Sequence, residues 1–323
     1  DLIFTFLYYM LSPHKMNINN KLSSFIAIKD IFFSEVGLGV SANAILLLFH
    51  IFTFLLKHRP KPTDLTISHL ALIHTVMLLT MGFIATDLFG SQDIWDDIKC
   101  KSVIYLYRLM RGLSISTTCL LSVLQAITLS PRSSCLAKFK QRPSHNLYGF
   151  IFLWVFNMTI SARYIVSLLT SDNLILVTES CSLWPATYLI RYTFFSLLTF
   201  RDVFLIGLMA LSSDYMVTLL YRHKKQSQHL HSTNLSPKAS PEQRATQTIL
   251  LLMTFFVVMY FLDFIISFSL GILWNNDPVH LCVQMLVTNG YATISPLVLI
   301  STEQRIIKAL PSMWGKMLNC NFN

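Results

Sequence analysis

Five polar side chains stand inside stretches of the sequence that are otherwise apolar, which makes them candidates for binding a polar molecule. They are Tyr107, Arg108, Arg111, Asp263 and Asn289. Arg108 and Arg111 are three residues apart, so a helix presents both on one face. A charged group at membrane depth costs about 2.5–3.5 kcal/mol and therefore pairs or faces a cavity. We expect Asp263 to lie at a depth where it meets one arginine; a structural ion pair and a ligand contact are both open for it.

Two of the six cysteines are candidates for a disulfide bond. Cys100 opens the third apolar segment, and Cys181 lies in the loop that follows the fourth. Apart from Cys282, no other cysteine shares their side of the membrane, which the orientation given below makes the oxidising one. We predict a Cys100–Cys181 bridge that ties this loop across the mouth of the third segment; the alternative is two free thiols.

No arrangement of residues typical of an enzyme or a metal protein is present. The sequence has no Walker loop and no HExxH motif, and its Ser, His and Asp residues do not converge on one loop system. The cysteines form no CxxC pair and have no His partners at zinc-ligand spacing. We therefore predict no catalysis, no metal site and no cofactor.

The composition is that of a membrane protein. The 323 residues are 53% hydrophobic and only 13% charged, with a mean hydropathy of +0.54, whereas soluble domains carry about 25% charged residues. The net charge of +9 does not indicate nucleic-acid binding, because the basic residues lie in short segments between apolar runs. No break in composition divides the chain, so we predict one membrane domain.

Seven segments are long and apolar enough to cross a membrane, which requires about 20 residues. Backbone polar groups must pair within each segment in lipid, so the segments must be helices. The predicted fold is all-α, a seven-transmembrane helix bundle over residues 31–300, preceded by an outer segment (1–30) without regular structure and followed by a tail (301–323). The predicted spans are 31–56, 63–88, 101–130, 147–169, 187–220, 247–273 and 280–300.

The orientation follows from the connecting segments, because Lys and Arg concentrate on the cytoplasmic side. Segments 57–62, 131–146 and 221–246, with the tail, hold 15 of these residues, and the alternate segments hold 5. We therefore expect the N-terminus outside and the C-terminus inside. The five polar candidates then lie in the outer half of the bundle, where we expect helices 3, 5, 6 and 7 to enclose one cavity.

Several features of this topology resemble the seven-helix receptor class, and long strings resemble vomeronasal type 1 receptors in particular. Asn43 in helix 1, Trp154 in helix 4 and the cysteine pair carry the general resemblance. As in that family, DRY, CWxP and NPxxY motifs are missing, and His74 stands where the wider class carries an Asp. The strings, within a match from about residue 30 to 314, are HRPKPTDL (58–65), IKCKSVIYLYRLMRGLS (98–114), LLSVLQAITLSPRSS (120–134), SPKASPEQRAT (236–246) and NGYATISPLVLIS (289–301).

The resemblance implies a plasma-membrane receptor of vomeronasal sensory neurons that binds a pheromone or another small semiochemical. It also implies signalling through an inhibitory-class heterotrimeric G protein. A ligand that prefers the active bundle would shift the equilibrium, and outward motion of helix 6 would expose a basic inner face to the G protein. The residues expected to face the G protein are Arg132, Lys138, Lys140, Arg222, Lys224, Lys225 and Arg244.

Two other classes of membrane protein remain as alternatives. A receptor resembling the bitter-taste family would have the same architecture, but the strings in helices 3 and 7 count against it. A small-solute transporter is the second alternative. Transporters favour paired halves with inverted topology and interrupted helices, and this sequence shows no internal repeat of that kind.

Overall fold

The structure is a computed structural model that describes most of the chain. It covers residues 18–56, 62–88, 97–131, 144–170, 174–178, 181–185, 188–230, 241–273 and 278–302.

Seven long helices and one antiparallel pair of strands make up these ranges. In the pair, Leu174 lies opposite Pro185 and Thr178 opposite Cys181. This β-hairpin connects the fourth helix to the fifth, and we call its side of the bundle the hairpin side. The elements are α1 (Ile18–Leu56), α2 (Pro62–Leu88), α3 (Asp97–Leu129), α4 (Ser144–Thr170), β1 (Leu174–Thr178), β2 (Cys181–Pro185), α5 (Tyr188–Leu230), α6 (Pro241–Leu273) and α7 (Pro278–Thr302).

The helices are those of a membrane bundle. Six of them contain stretches long and apolar enough to cross a bilayer, and within the described residues α4 contributes a shorter apolar stretch, Tyr148–Ala162. Large apolar side chains such as Leu55, Phe200 and Phe261 face outward, while polar ones such as Asn43 are buried. This arrangement, apolar outside and polar within, is the reverse of a soluble protein. The predicted seven-helix transmembrane fold is confirmed.

Helix α3 lies at the centre of the bundle. It packs against α2, α4, α5 and α6, while α7 closes the bundle against α1, α2 and α6. The central cluster joins α3, α5, α6 and α7 through residues such as Ile115, Met209, Phe256 and Tyr291. Polar groups on α3 are therefore within reach of most other helices.

Three predicted helix boundaries were wrong: the start of α1, the end of α5 and the start of α6. In each case the helix continues beyond its apolar span. Helix α1 begins at Ile18, although residues 1–30 were expected to lack regular structure. The predicted loop 221–246 is shorter, because α5 continues to Leu230 and α6 begins at Pro241. Apolar patterning marks only the part of a helix that lies in lipid. Intrahelical hydrogen bonds continue into water where residues such as Lys and Gln favour the helix.

A proline in α7 explains a contact between α7 and α1. Pro296 lies inside the helix and has no N–H group, so the carbonyl of Ala292, four residues earlier, loses its intrahelical donor. The side chain of Asn43 replaces that donor: its Nδ2 lies 2.9 Å from the Ala292 oxygen and 2.8 Å from the Gly39 oxygen. Gly39 permits this close approach, because a Cβ there would lie 2.6 Å from side-chain atoms of Leu78 and Thr293.

We predict that Asn43→Ala lowers the free energy of unfolding by about 1–2 kcal/mol, because it leaves the buried Ala292 carbonyl without a donor. The same substitution should cost less than half as much in a Pro296→Ala background, where residue 296 regains its N–H. Thermal unfolding of the detergent-solubilised protein measures both effects. Equal costs in the two backgrounds would show that Asn43 does not act through this carbonyl.

Candidate functional site

An ion pair joins α3 to α6 in the hairpin-side half of the bundle. The Arg111 guanidinium donates to Oδ2 of Asp263, and the Thr288 hydroxyl on α7 lies 2.7 Å from the second carboxylate oxygen, Oδ1. The carboxylate is buried, and the arginine side chain is 32% exposed. Of the two arginines predicted to share one face of helix 3, Arg111 is therefore the one that meets Asp263.

Tyr107 lies one turn of α3 before this ion pair, among charged groups. Its side chain is within electrostatic range of Glu35, Arg108, Arg111 and Asp263. Its hydroxyl is buried and has no hydrogen-bond partner in the part of the chain that the structure describes. A buried hydroxyl without a partner costs about 1–3 kcal/mol, so this position favours a bound polar group or water.

Asn289 stands next to Thr288 on α7 and is fully buried. Its Nδ2 donates to the Met285 carbonyl on the same helix at 2.9 Å. Its Oδ1 has no hydrogen-bond partner among the described residues. After the Tyr107 hydroxyl, this amide oxygen is a second buried polar atom near the ion pair without a partner in the described part of the chain, and it belongs to the residue next to Thr288, which contacts Asp263.

A small cavity of about 40 Å³ borders the ion pair. Arg111 and Asp263 line it, whereas Tyr107, Arg108 and Asn289 do not. The volume holds one or a few water molecules, while sites for small organic ligands occupy about 300–1,000 Å³. The lining residues are Met77, Arg111, Ser114, Ile115, Phe256, Met259, Tyr260, Asp263, Val287, Thr288, Tyr291 and Ala292.

Helix 5, which we expected to enclose a ligand cavity with helices 3, 6 and 7, contributes no described residue to this small cavity, so that expectation stays a prediction. The lining comes from α2, α3, α6 and α7. Arg201 and Asp202, the polar pair of α5, contact each other and residues of α4 and α6. Arg201 donates to Asp202 at 2.7 Å and lies 3.4 Å from Oδ1 of Asn157 on α4. Tyr260 of α6 donates to Asp202 at 2.9 Å. Because these partners hold the pair of α5, that pair is not directed into the cavity.

Two histidines of α2 extend the polar interior. His74 lies 2.8 Å from the Ser114 hydroxyl on α3 and 3.3 Å from the Ser295 hydroxyl on α7. Nε2 of His69 accepts from the Trp154 indole at 2.9 Å. Since an indole N–H only donates, that ring nitrogen carries no proton. Each histidine joins helices across the bundle, so both have a structural role here.

Comparison with known proteins identifies the family. The model of the vomeronasal organ pheromone receptor family matches residues 26–312. Vomeronasal type-1 receptor 90 of Rattus norvegicus is 58% identical over 90% of this chain and 95% of its own length. Vomeronasal type-1 receptor 42 of Mus musculus is 49% identical over 100% of this chain and 99% of its own length. The chain belongs to the vomeronasal type-1 receptor family. It is therefore a chemosensory receptor in a membrane, as the resemblance indicated.

Glu35 of this vomeronasal receptor was not among the site residues predicted from the sequence. This acid lies on α1, and its Oε1 is 3.9 Å from where a Cβ on Gly290 of α7 would stand. A sequence signal was available, because Glu35 lies well inside the apolar span Ile26–Leu55. An ionisable group in such a span indicates a functional role.

The predicted disulfide of the receptor stays a prediction. The side chains of Cys100 and Cys181 lie outside the described residues. Cys100 lies in the first turn of α3, and Cys181 begins β2, which packs against α3.

Four of the residues expected to face a G protein belong to described helices, and these four lie at the end of the bundle opposite the hairpin. Arg222 and Lys225 are exposed near the end of α5. Lys224 and Arg244 belong to α5 and α6, but their side chains lie outside the described residues, as do Arg132, Lys138 and Lys140 entirely.

Proposed function

We propose that this receptor binds a small semiochemical in the hairpin-side half of its bundle and thereby activates an inhibitory-class heterotrimeric G protein. The observation that carries the proposal is the Arg111–Asp263 ion pair beside the interior cavity. The pair joins the central helix α3 to α6, so a ligand that contacts it acts directly on the position of α6. Tyr107, Arg108 and Asn289 complete the proposed binding site.

The size of the cavity supports a change of shape on ligand binding. A cavity of about 40 Å³ holds only water, so the ligand-bound bundle must be wider between α3, α6 and α7. A ligand that binds this wider form more tightly shifts the population towards it. The contracted bundle is then the resting state.

Hydrogen bonds on the side of the bundle away from the hairpin would oppose the shift to the wider, ligand-bound form. Nε2 of Gln125 on α3 donates to the Thr246 hydroxyl on α6 at 3.0 Å. The Ser130 and Tyr215 hydroxyls join α3 to α5 at 2.9 Å. Outward motion of α6 breaks the first contact, and one such hydrogen bond contributes about 1 kcal/mol. That value suits an equilibrium that a ligand can shift.

The proposed orientation places the hairpin side outside the cell and the basic side inside. Helix α5 extends eight residues beyond Arg222, where its apolar span ends, and with α6 it offers a basic surface to the G protein. The receptor then resides in the plasma membrane of vomeronasal sensory neurons, with its N-terminus outside, its C-terminus inside, and the Cys100–Cys181 bridge on the outer face.

Reporter cells test this function. We expect cells that express the receptor with a chimeric Gα carrying an inhibitory-class C-terminal segment to respond to one or more odorant or steroid fractions. The matched control is the same Gα with a stimulatory-class segment, which should give no response. A response seen only with the control chimera would contradict the proposed coupling to an inhibitory-class G protein. Solute flux in vesicles without any reporter response would contradict a receptor altogether.

A further inference from the structure

We propose that Glu35, together with Tyr107, forms a second recognition point inside the bundle that binds the protonated amine of a small-molecule ligand. The inference rests on the proposed function, because it places a ligand in the hairpin-side interior. It adds a helix, α1, and a chemical class of ligand to that site.

Glu35 faces the interior of the bundle. Its Oε1 lies 3.9 Å from the position that a Cβ on Gly290 would occupy, and its side chain is partly buried. Because Gly290 has no side chain, the terminal methyl of Met259 on α6 packs closely against α7 at this point, 2.4 Å from where a Cβ would stand, and Glu35 approaches the same point from α1. The carboxylate therefore points towards α7 and away from lipid.

The carboxylate of Glu35 has no hydrogen bond or ion pair within the described ranges of the chain. Two other described acids of the interior have partners: Asp263 is engaged by Arg111 and Thr288, and Asp202 by Arg201 and Tyr260. A carboxylate at membrane depth without such partners is costly and indicates a functional role. Among the interior acids whose side chains the structure describes, Glu35 is thus the one that remains available to a ligand.

Tyr107 supplies a second polar group nearby, because it packs against the same buried cluster as Val36, the residue after Glu35. It is within electrostatic range of Glu35, and its buried hydroxyl has no partner among the described residues. A carboxylate offers only acceptors, and a phenol adds another acceptor or one donor. An ammonium group has three donors and a positive charge, so it satisfies both side chains. A carboxylate ligand would meet repulsion from Glu35 at this position.

A cysteine reporter tests the proposal without a known agonist or a G protein. In the purified, detergent-solubilised receptor, Gly290→Cys places a thiol beside Glu35. The nearest atom to the new Cβ is the terminal methyl of Met259 at 2.4 Å, the flexible end of that side chain, which must move; Oε1 of Glu35 and Sδ of Met259 follow at 3.9 Å. The probes are two methanethiosulfonates of equal length, one with an ethylammonium and one with an ethylsulfonate group. The measurement is the ratio of their rates of reaction with this thiol.

We expect the ammonium reagent to react faster, and Glu35→Gln to lower the rate ratio by about tenfold or more, because two unit charges a few ångströms apart interact strongly in a protein interior. The matched control is Asp30→Asn, which removes an exposed acid from the same helix and should leave the ratio unchanged. Val287→Cys, one turn earlier on α7, provides a second reporter position if Gly290→Cys does not fold.

Several outcomes would overturn the inference. They are a ratio that Glu35→Gln leaves unchanged, an equal effect of Asp30→Asn, and thiols at both positions that neither reagent modifies. Each of these leaves the reporter-cell result untouched, so failure of the Glu35 site is distinguishable from failure of the proposed receptor function.

Discussion

Replacing Asp263 with leucine should destabilise the receptor by about 2–3 kcal/mol, whereas replacing Arg111 and Asp263 together should restore most of that loss. The single substitution leaves the Arg111 charge without its partner inside the bundle. Breaking a fully buried pair costs about 3–5 kcal/mol. We expect a smaller value because Arg111 is 32% exposed. Arg111→Met with Asp263→Leu removes both charges and leaves apolar side chains of similar size.

The double variant separates structure from ligand binding. Thermal unfolding of the solubilised receptor measures stability, and surface labelling measures expression. We expect the double variant to reach the surface and yet to lose its response to an agonist fraction, and Arg111→Ala to blunt that response while surface expression survives. Asp214→Leu is the matched control, because Asp214 is exposed on α5 and its loss should change stability by less than about 0.5 kcal/mol.

Other results would change the interpretation of this pair. If Arg111→Ala abolishes surface expression, the pair is structural and the proposed binding site is wrong. If the double variant is as unstable as Asp263→Leu alone, the ion pair is not what the leucine substitution disturbs. If the double variant keeps a full agonist response, neither charge takes part in ligand recognition.

The membrane bundle was predictable from the sequence because hydrophobicity and length are properties of single segments. Lipid requires about 20 apolar residues per crossing, and the chain meets this seven times. The helix ends were not predictable in the same way. At Ile18 and Leu230 the helix lies beyond the apolar span, and nothing in hydropathy marks where hydrogen bonding stops. The hairpin was missed although β-branched and aromatic residues in LILVT and CSLWP favour strands.

The interior contacts were predictable only in part. Spacing placed Arg108 and Arg111 on one face, but which arginine meets Asp263 depends on the rotation and depth of α6, which the pattern of α3 does not contain. The contribution of α2 to the cavity and the turn of Arg201 towards α4 likewise depend on packing between helices. Glu35 was detectable by its charge, whereas its position beside Gly290 required the structure.

Gly112→Ala should have the second large effect, because Gly112 leaves room for the polar network of α4 and α5. A Cβ there would lie 2.5 Å from Oδ1 of Asn157 and 2.8 Å from Nη1 of Arg201. Those atoms must move, which weakens the Arg201–Asn157 contact and the 3.1 Å hydrogen bond from Asn157 to Ser116. Losing buried hydrogen bonds and overpacking together cost about 2–4 kcal/mol.

The control for Gly112→Ala is a glycine substitution that should stabilise the receptor instead of destabilising it. Gly207 on α5 has no atom within 4 Å of an added Cβ, so Gly207→Ala should stabilise the receptor by up to about 1 kcal/mol through helix propensity alone. Adding Asn157→Ala to Gly112→Ala removes the nearest obstructing atom and should recover part of the loss in thermal unfolding. Equal effects of the two glycine substitutions would mean that Gly112 does not hold this network in place. If Asn157→Ala instead makes the Gly112→Ala protein less stable still, the added methyl does not act by displacing that amide.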